Sequence, residues 1–121
     1  MSQDRPAIDD ILATVQQFLD GAGDSLEGDK RYNAQVARYL MAICEREMRL
    51  GPALDAAERQ RLAAFLGTDG TLAALNQRLA ADIRAGHLDD RWAQTLDLVL
   101  SQVIDKVTVV RPERLDPMHR R

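Results

Sequence analysis

Apolar residues in this chain return every three or four positions, and that period leaves little choice of fold. Ile8, Ile11, Leu12, Val15, Phe18 and Leu19 fall on one face of a helix, with Asp9, Asp10, Gln16 and Gln17 elsewhere. The pattern predicts a first helix from about Pro6 to Asp20, ended by Gly21 and Gly23. A second helix is expected from about Lys30 to Leu50, with Tyr32, Val36, Tyr39, Leu40, Ile43 and Leu50 on one face. Gly51-Pro52 reads as its stop. Asp55 to Glu58 reads as a capping box that opens a short third helix through Leu66, closed by Gly67. Thr71 caps a fourth helix, whose stripe is Leu72, Leu75, Leu79 and Ile83 and which ends at Gly86. After a staple at Leu88 and an N-cap at Asp89, a fifth helix runs from about Asp90 to Val109. Its inward stripe is expected to be Trp92, Leu96, Val99, Leu100, Val103, Ile104 and Val107. The β-branched segment 107–110 has no partner strand in the chain and is taken as a helix end. Pro112 and Pro117 prevent much helix beyond it.

The expected fold class is therefore all-α, a compact bundle of about five helices with short loops and mostly antiparallel neighbours. Residues 1–111 would form a single helical domain and residues 112–121 an irregular tail. Only five of the 121 residues are aromatic, so the core must be built mainly of aliphatic side chains, which suits helix-on-helix packing.

Several function classes lose support on composition and motifs. A net charge of −3 argues against a nucleic-acid binder, whose affinity comes largely from neutralising phosphates. Only the Arg111, Arg114, Arg120 and Arg121 tail points the other way. Cys44 is the single cysteine, so no intrachain disulfide can form, and it lies in an apolar helical pattern where a thiol usually acts as a small hydrophobe. No signal peptide is evident at the N-terminus, and no run approaches the ~20 apolar residues of a membrane span. A cytoplasmic location is the default expectation. His87 and His119 have no metal-ligand spacing, and neither a metal nor another cofactor is implied.

A few polar residues break the helical rules. Glu47 projects near the apolar stripe of the second helix, where a carboxylate is costly unless it is paired or the helix end is exposed. It is either a register-fixing ion-pair member, with Lys106 as one candidate partner, or a polar group at the base of a pocket between the second and fifth helices. Asn33, Tyr32 and Tyr39 would complete that candidate pocket or buried polar network, and Asn76 flanks the stripe of the fourth helix. Leu98 and Val109 point away from the expected stripe of the fifth helix. Either that helix is central, or these two residues form an interface, such as a homodimer seam.

Segments 32–37 (YNAQVA), 42–47 (AICERE), 50–54 (LGPAL) and 103–107 (VIDKV), together with Pro112 and Leu115, carry a resemblance over most of the chain. They are similar to a small all-helical bacterial family of unknown function. Members of that family are often encoded beside, or fused to, aminoglycoside-phosphotransferase-like kinases and acyl-CoA dehydrogenases. The resemblance implies an accessory role to such enzymes. It supplies no catalytic residues, and Asn33 stands where a His is common in the family. The leading expectation is thus an interaction or regulatory module for a metabolic enzyme, with a possible homodimer. A small-ligand binding domain is the alternative. With only Glu47, Lys106 and Tyr39 to draw on, the balance is against an enzyme.

Overall fold

Three of the four expected glycine stops coincide with helix ends, at Gly23, Gly67 and Gly86, and for the last two the reason is visible in the backbone. The structure, a computed structural model, describes residues 7–120, so Pro6 and Arg121 lie outside the described residues. Gly67 and Gly86 adopt φ of +68° and +79°. Each lets the next amide turn back onto the helix: Thr68 N–H donates to Ala63 O (3.2 Å) and His87 N–H to Asp82 O (3.0 Å). This is the Schellman termination, which needs the left-handed conformation that glycine adopts without penalty.

Gly51 does not adopt a positive φ. The expected second and third helices are consequently one, and the chain has four α-helices where about five were expected: α1 (Ile8–Gly23), α2 (Gly28–Leu66), α3 (Leu72–Arg84) and α4 (Trp92–Val110). Pro52 lies inside the 39-residue α2. It has no N–H to offer the Met48 carbonyl. Gly51 lacks the Cβ that would collide with a following proline ring, which eases helical geometry at that step. The capping box expected at Asp55 to Glu58 therefore caps nothing. Thr71 does cap α3, its hydroxyl accepting from Ala74 N–H at 3.1 Å. The β-branched segment 107–110 is helical, as expected, and no strand occurs among the described residues. Short 3-10 turns at Asp89–Arg91, Pro112–Arg114 and Pro117–His119 complete the chain.

The chain divides at Gly51 into two compact units, residues 1–51 and 52–121. The first comprises α1 and the first part of α2. Ala34 is its one buried apolar side chain among the described residues. Two helices cannot enclose a core, and Phe18 (70% exposed), Tyr32 (66%), Leu40 (53%) and Ile8 (52%) stand open.

The second unit has a true core. Leu62 from α2, Leu75 and Leu79 from α3, Leu88 from the following turn and Leu98 from α4 cluster together, with Phe65, Leu66, Ile83 and Val99 packed around them. Leu62 is fully buried. At about 1.5–3 kcal/mol for each buried Leu, this cluster supplies much of the cohesion of the unit. Arg91 adds a clamp: its guanidinium lies 4.1 Å from the Phe65 ring centroid and donates to Phe65 O at 3.2 Å.

Candidate functional site

α4 is rotated away from the expectation. Its inward residues are Thr95 (1% exposed), Leu98 (8%) and Asp105 (6%). Of the seven residues expected inward, Trp92, Leu96, Leu100 and Val103 are 48%, 51%, 45% and 52% exposed, while Val99, Ile104 and Val107 are half-buried and Val99 packs against the core; Val110, beyond the expected stripe, is 36% exposed. Leu98, a predicted interface residue, therefore sits in the core of its own unit, and Val109 is half-buried. The exposed apolar face is the other one.

Polar links explain how the less apolar face can be the buried one. Gln102 Nε2 donates to Asn76 Oδ1 at 2.9 Å, and Asn76 Nδ2 donates to Glu58 Oε1 at 3.3 Å. This chain of amides joins α4, α3 and α2. One turn further along, Arg61 Nη2 donates to Asp105 Oδ2 at 2.8 Å. Because Glu58 and Arg61 are i, i+3 on α2, and Gln102 and Asp105 are i, i+3 on α4, the two links lie in adjacent turns. They set the register of three helices and satisfy polar groups that would otherwise be costly to bury. Asn76, which flanks the apolar stripe of α3, is the hub of the amide chain.

At the α3 start, Asp69 is organised but fully exposed. Gly70 N–H (2.8 Å) and Arg59 Nη2 (3.0 Å) both donate to its carboxylate, and the first of these does most to hold it below the usual carboxylate range. This fixes the turn that leads into α3.

The outward face of α4 carries an open apolar groove of about 460 Å³, lined by Gln102, Val103, Lys106, Val107, Val110 and Arg111. Lys106, one of the predicted pocket residues, is thus at a concave surface. Arg111 is ion-paired to Glu113 at 3.2 Å. Gln102 serves both features, since its amide is spent on Asn76 while its stem lines the groove. The other predicted pocket residues, Tyr32, Asn33, Tyr39 and Glu47, belong to the first unit, and all four are exposed. Exposure removes the desolvation cost that made Glu47 conspicuous. The stripe it interrupts is itself open, with Val36 at 38%, Tyr39 at 37% and Leu40 at 53%.

Among the described residues, no group of three or more His, Cys, Asp or Glu is placed to hold a metal ion, and no helix is long and apolar enough to cross a membrane. The arrangement offers apolar contact with a cationic rim, a chemistry of binding.

Residues 24–114 match the family model described as Domain of unknown function (DUF6285). The match covers well over half of the chain, and the chain belongs to that family. No curated protein and no solved structure matches it.

Proposed function

We propose that this DUF6285-family chain is an interaction module, accessory to a metabolic enzyme in a bacterial cytoplasm. One observation carries the reading: large apolar side chains stand exposed in helical register along α1, α2 and α4. Runs of this kind mark surfaces that are covered in the working assembly. The resemblance to a family encoded beside aminoglycoside-phosphotransferase-like kinases and acyl-CoA dehydrogenases supplies the partner class. The α4 groove supports a second reading, a site for a small ligand with an apolar body and an anionic end, met by Lys106 and Arg111.

Co-expression with an aminoglycoside-phosphotransferase-like kinase or an acyl-CoA dehydrogenase of the same genome, and then light scattering of the purified material, tests the first reading. The expected result is a complex of fixed stoichiometry that Phe18→Asp weakens. Separate elution of the two proteins at tens of micromolar overturns it.

A further inference from the structure

We infer that the exposed face of α4 is a self-association surface, on which a second copy of this chain docks antiparallel through its own α4. The inference rests on the interaction-module reading and assigns one of its surfaces.

Spacing is the first argument. Trp92, Leu96, Leu100, Val103, Val107 and Val110 form one stripe. A two-fold axis near the helix midpoint sets Leu100 against the second copy's Val103 and Leu96 against its Val107. Trp92 then falls at the second copy's Val110 and Arg111. In this antiparallel sense the stripe is complementary to itself, as an isologous contact requires.

Shape is the second. The groove lies at Val103, Lys106, Val107, Val110 and Arg111, where this register places the second copy's Trp92 and Leu96. The two largest projections of the N-terminal half thus meet the concavity of the C-terminal half. Arg111 would lie by the second copy's indole, the contact that Arg91 already makes with Phe65 at 4.1 Å.

Charge is the third. The N-terminal end of α4 carries Asp89 and Asp90 with Arg91, a net acidic end, and the C-terminal end carries Lys106, Arg111 and Arg114 with Glu113. Antiparallel pairing sets the acidic end over the mainly basic one, whereas parallel pairing would set like over like. Size is also adequate. Five side chains about half exposed amount to roughly 400 Å² of apolar surface per copy, large enough to mark an interaction site. Two such faces with their polar rims approach the ~1,200 Å² at the lower end of specific interfaces.

The test uses the full chain. Sedimentation of the native protein should give twice the 13.5 kDa chain mass. Trp92 is the only tryptophan, so its emission should shift to the blue and lose quencher access as concentration rises through the dimer range. Leu100→Glu and Val103→Lys should each weaken the dimer by about 30-fold or more, as loss of a central contact does. An equimolar mixture of the two variants should regain the dimer mass, because position 100 of one faces position 103 of the other. Circular dichroism verifies that each variant is folded. A native chain that stays monomeric at high concentration overturns the inference, and so does a dimer that survives both substitutions. A mixture that fails to recover overturns the antiparallel register. Binding of the Leu100→Glu variant to the co-expressed enzyme then reports separately: if it binds, the accessory reading stands without self-association, and if neither form binds, that reading falls by itself.

Discussion

Replacing Arg61 alone should cost the second unit more than replacing Arg61 and Asp105 together. Asp105 is 7% exposed at its side chain, and Arg61, at 33%, reaches it across 2.8 Å. Removing one partner of a fully buried pair typically costs about 3–5 kcal/mol, because the remaining charge loses a close counter-charge in a place where water cannot replace it. Arg61 is one-third open to water, so part of its attraction is already screened, and its Nε is buried without a hydrogen-bond partner. Both features lower the figure, to about 2–3 kcal/mol for Arg61→Met. At about 4–8 °C per kcal/mol for a small domain, the midpoint should fall by roughly 8–24 °C. The double variant Arg61→Met, Asp105→Val removes both charges of the pair, and apolar replacements of buried pairs are often neutral or better, so it should return to within about 1 kcal/mol of native. Urea unfolding monitored by circular dichroism, across native, both single variants and the double variant, measures the coupling directly. If Arg61→Met costs less than about 0.5 kcal/mol, or the double variant loses as much as the singles combined, the pair does not hold these helices in register.

Three further outcomes are expected from the same helices. Leu62→Ala, at a side chain with no exposed surface, should cost about 3–4 kcal/mol in the same urea assay, since its cavity lies between α2, α3 and α4. Asp69 has a folded-state pKa below its unfolded one, so its ionised form stabilises the fold. That contribution is present above the unfolded value, about 4, and is lost as pH falls through the lower folded value. The stability difference between native and Asp69→Asn, read from thermal melts, should therefore be largest at neutral pH and vanish in acid. Pro52→Ala restores a donor within α2 and should raise stability by up to about 3 kcal/mol, the usual penalty for an interior proline. No gain would mean that the helix is not continuous through Gly51 and Pro52 in solution.

The errors in reading this sequence share physical causes. The 3.6-residue period identified every helical segment, because periodicity is local. Termination was less legible. Gly67 and Gly86 stop helices by taking the left-handed conformation, and Gly51, with the same side chain, does not. A glycine gives the backbone permission to stop, and the residues downstream of it decide whether the helix does. A Schellman turn needs downstream chain that packs back, as Leu72 and Leu88 do against the core.

The inward face of α4 is not legible in the sequence for a deeper reason. Hydropathy reports which side of a helix is apolar, and the usual step from apolar to inward assumes that enough other chain exists to cover that side. In the second unit the inward places are taken by Thr95, Leu98 and Asp105, held by partners from α2 and α3 that no single-helix pattern could reveal. In the first unit two helices bury little of anything. The same assumption made Glu47 look like a misplaced carboxylate, when the stripe around it is exposed as well. The mismatch is itself informative. A chain of 121 residues that repeats apolar residues on every helix, yet buries few of them, carries more helical faces than its own core uses. Stability alone does not require Trp92, Leu96, Leu100 and Val103 in register on an open surface, because exposed positions tolerate polar residues at almost no cost. Their register argues that the face is buried for most of the protein's working life, and the α4 variants test that claim directly.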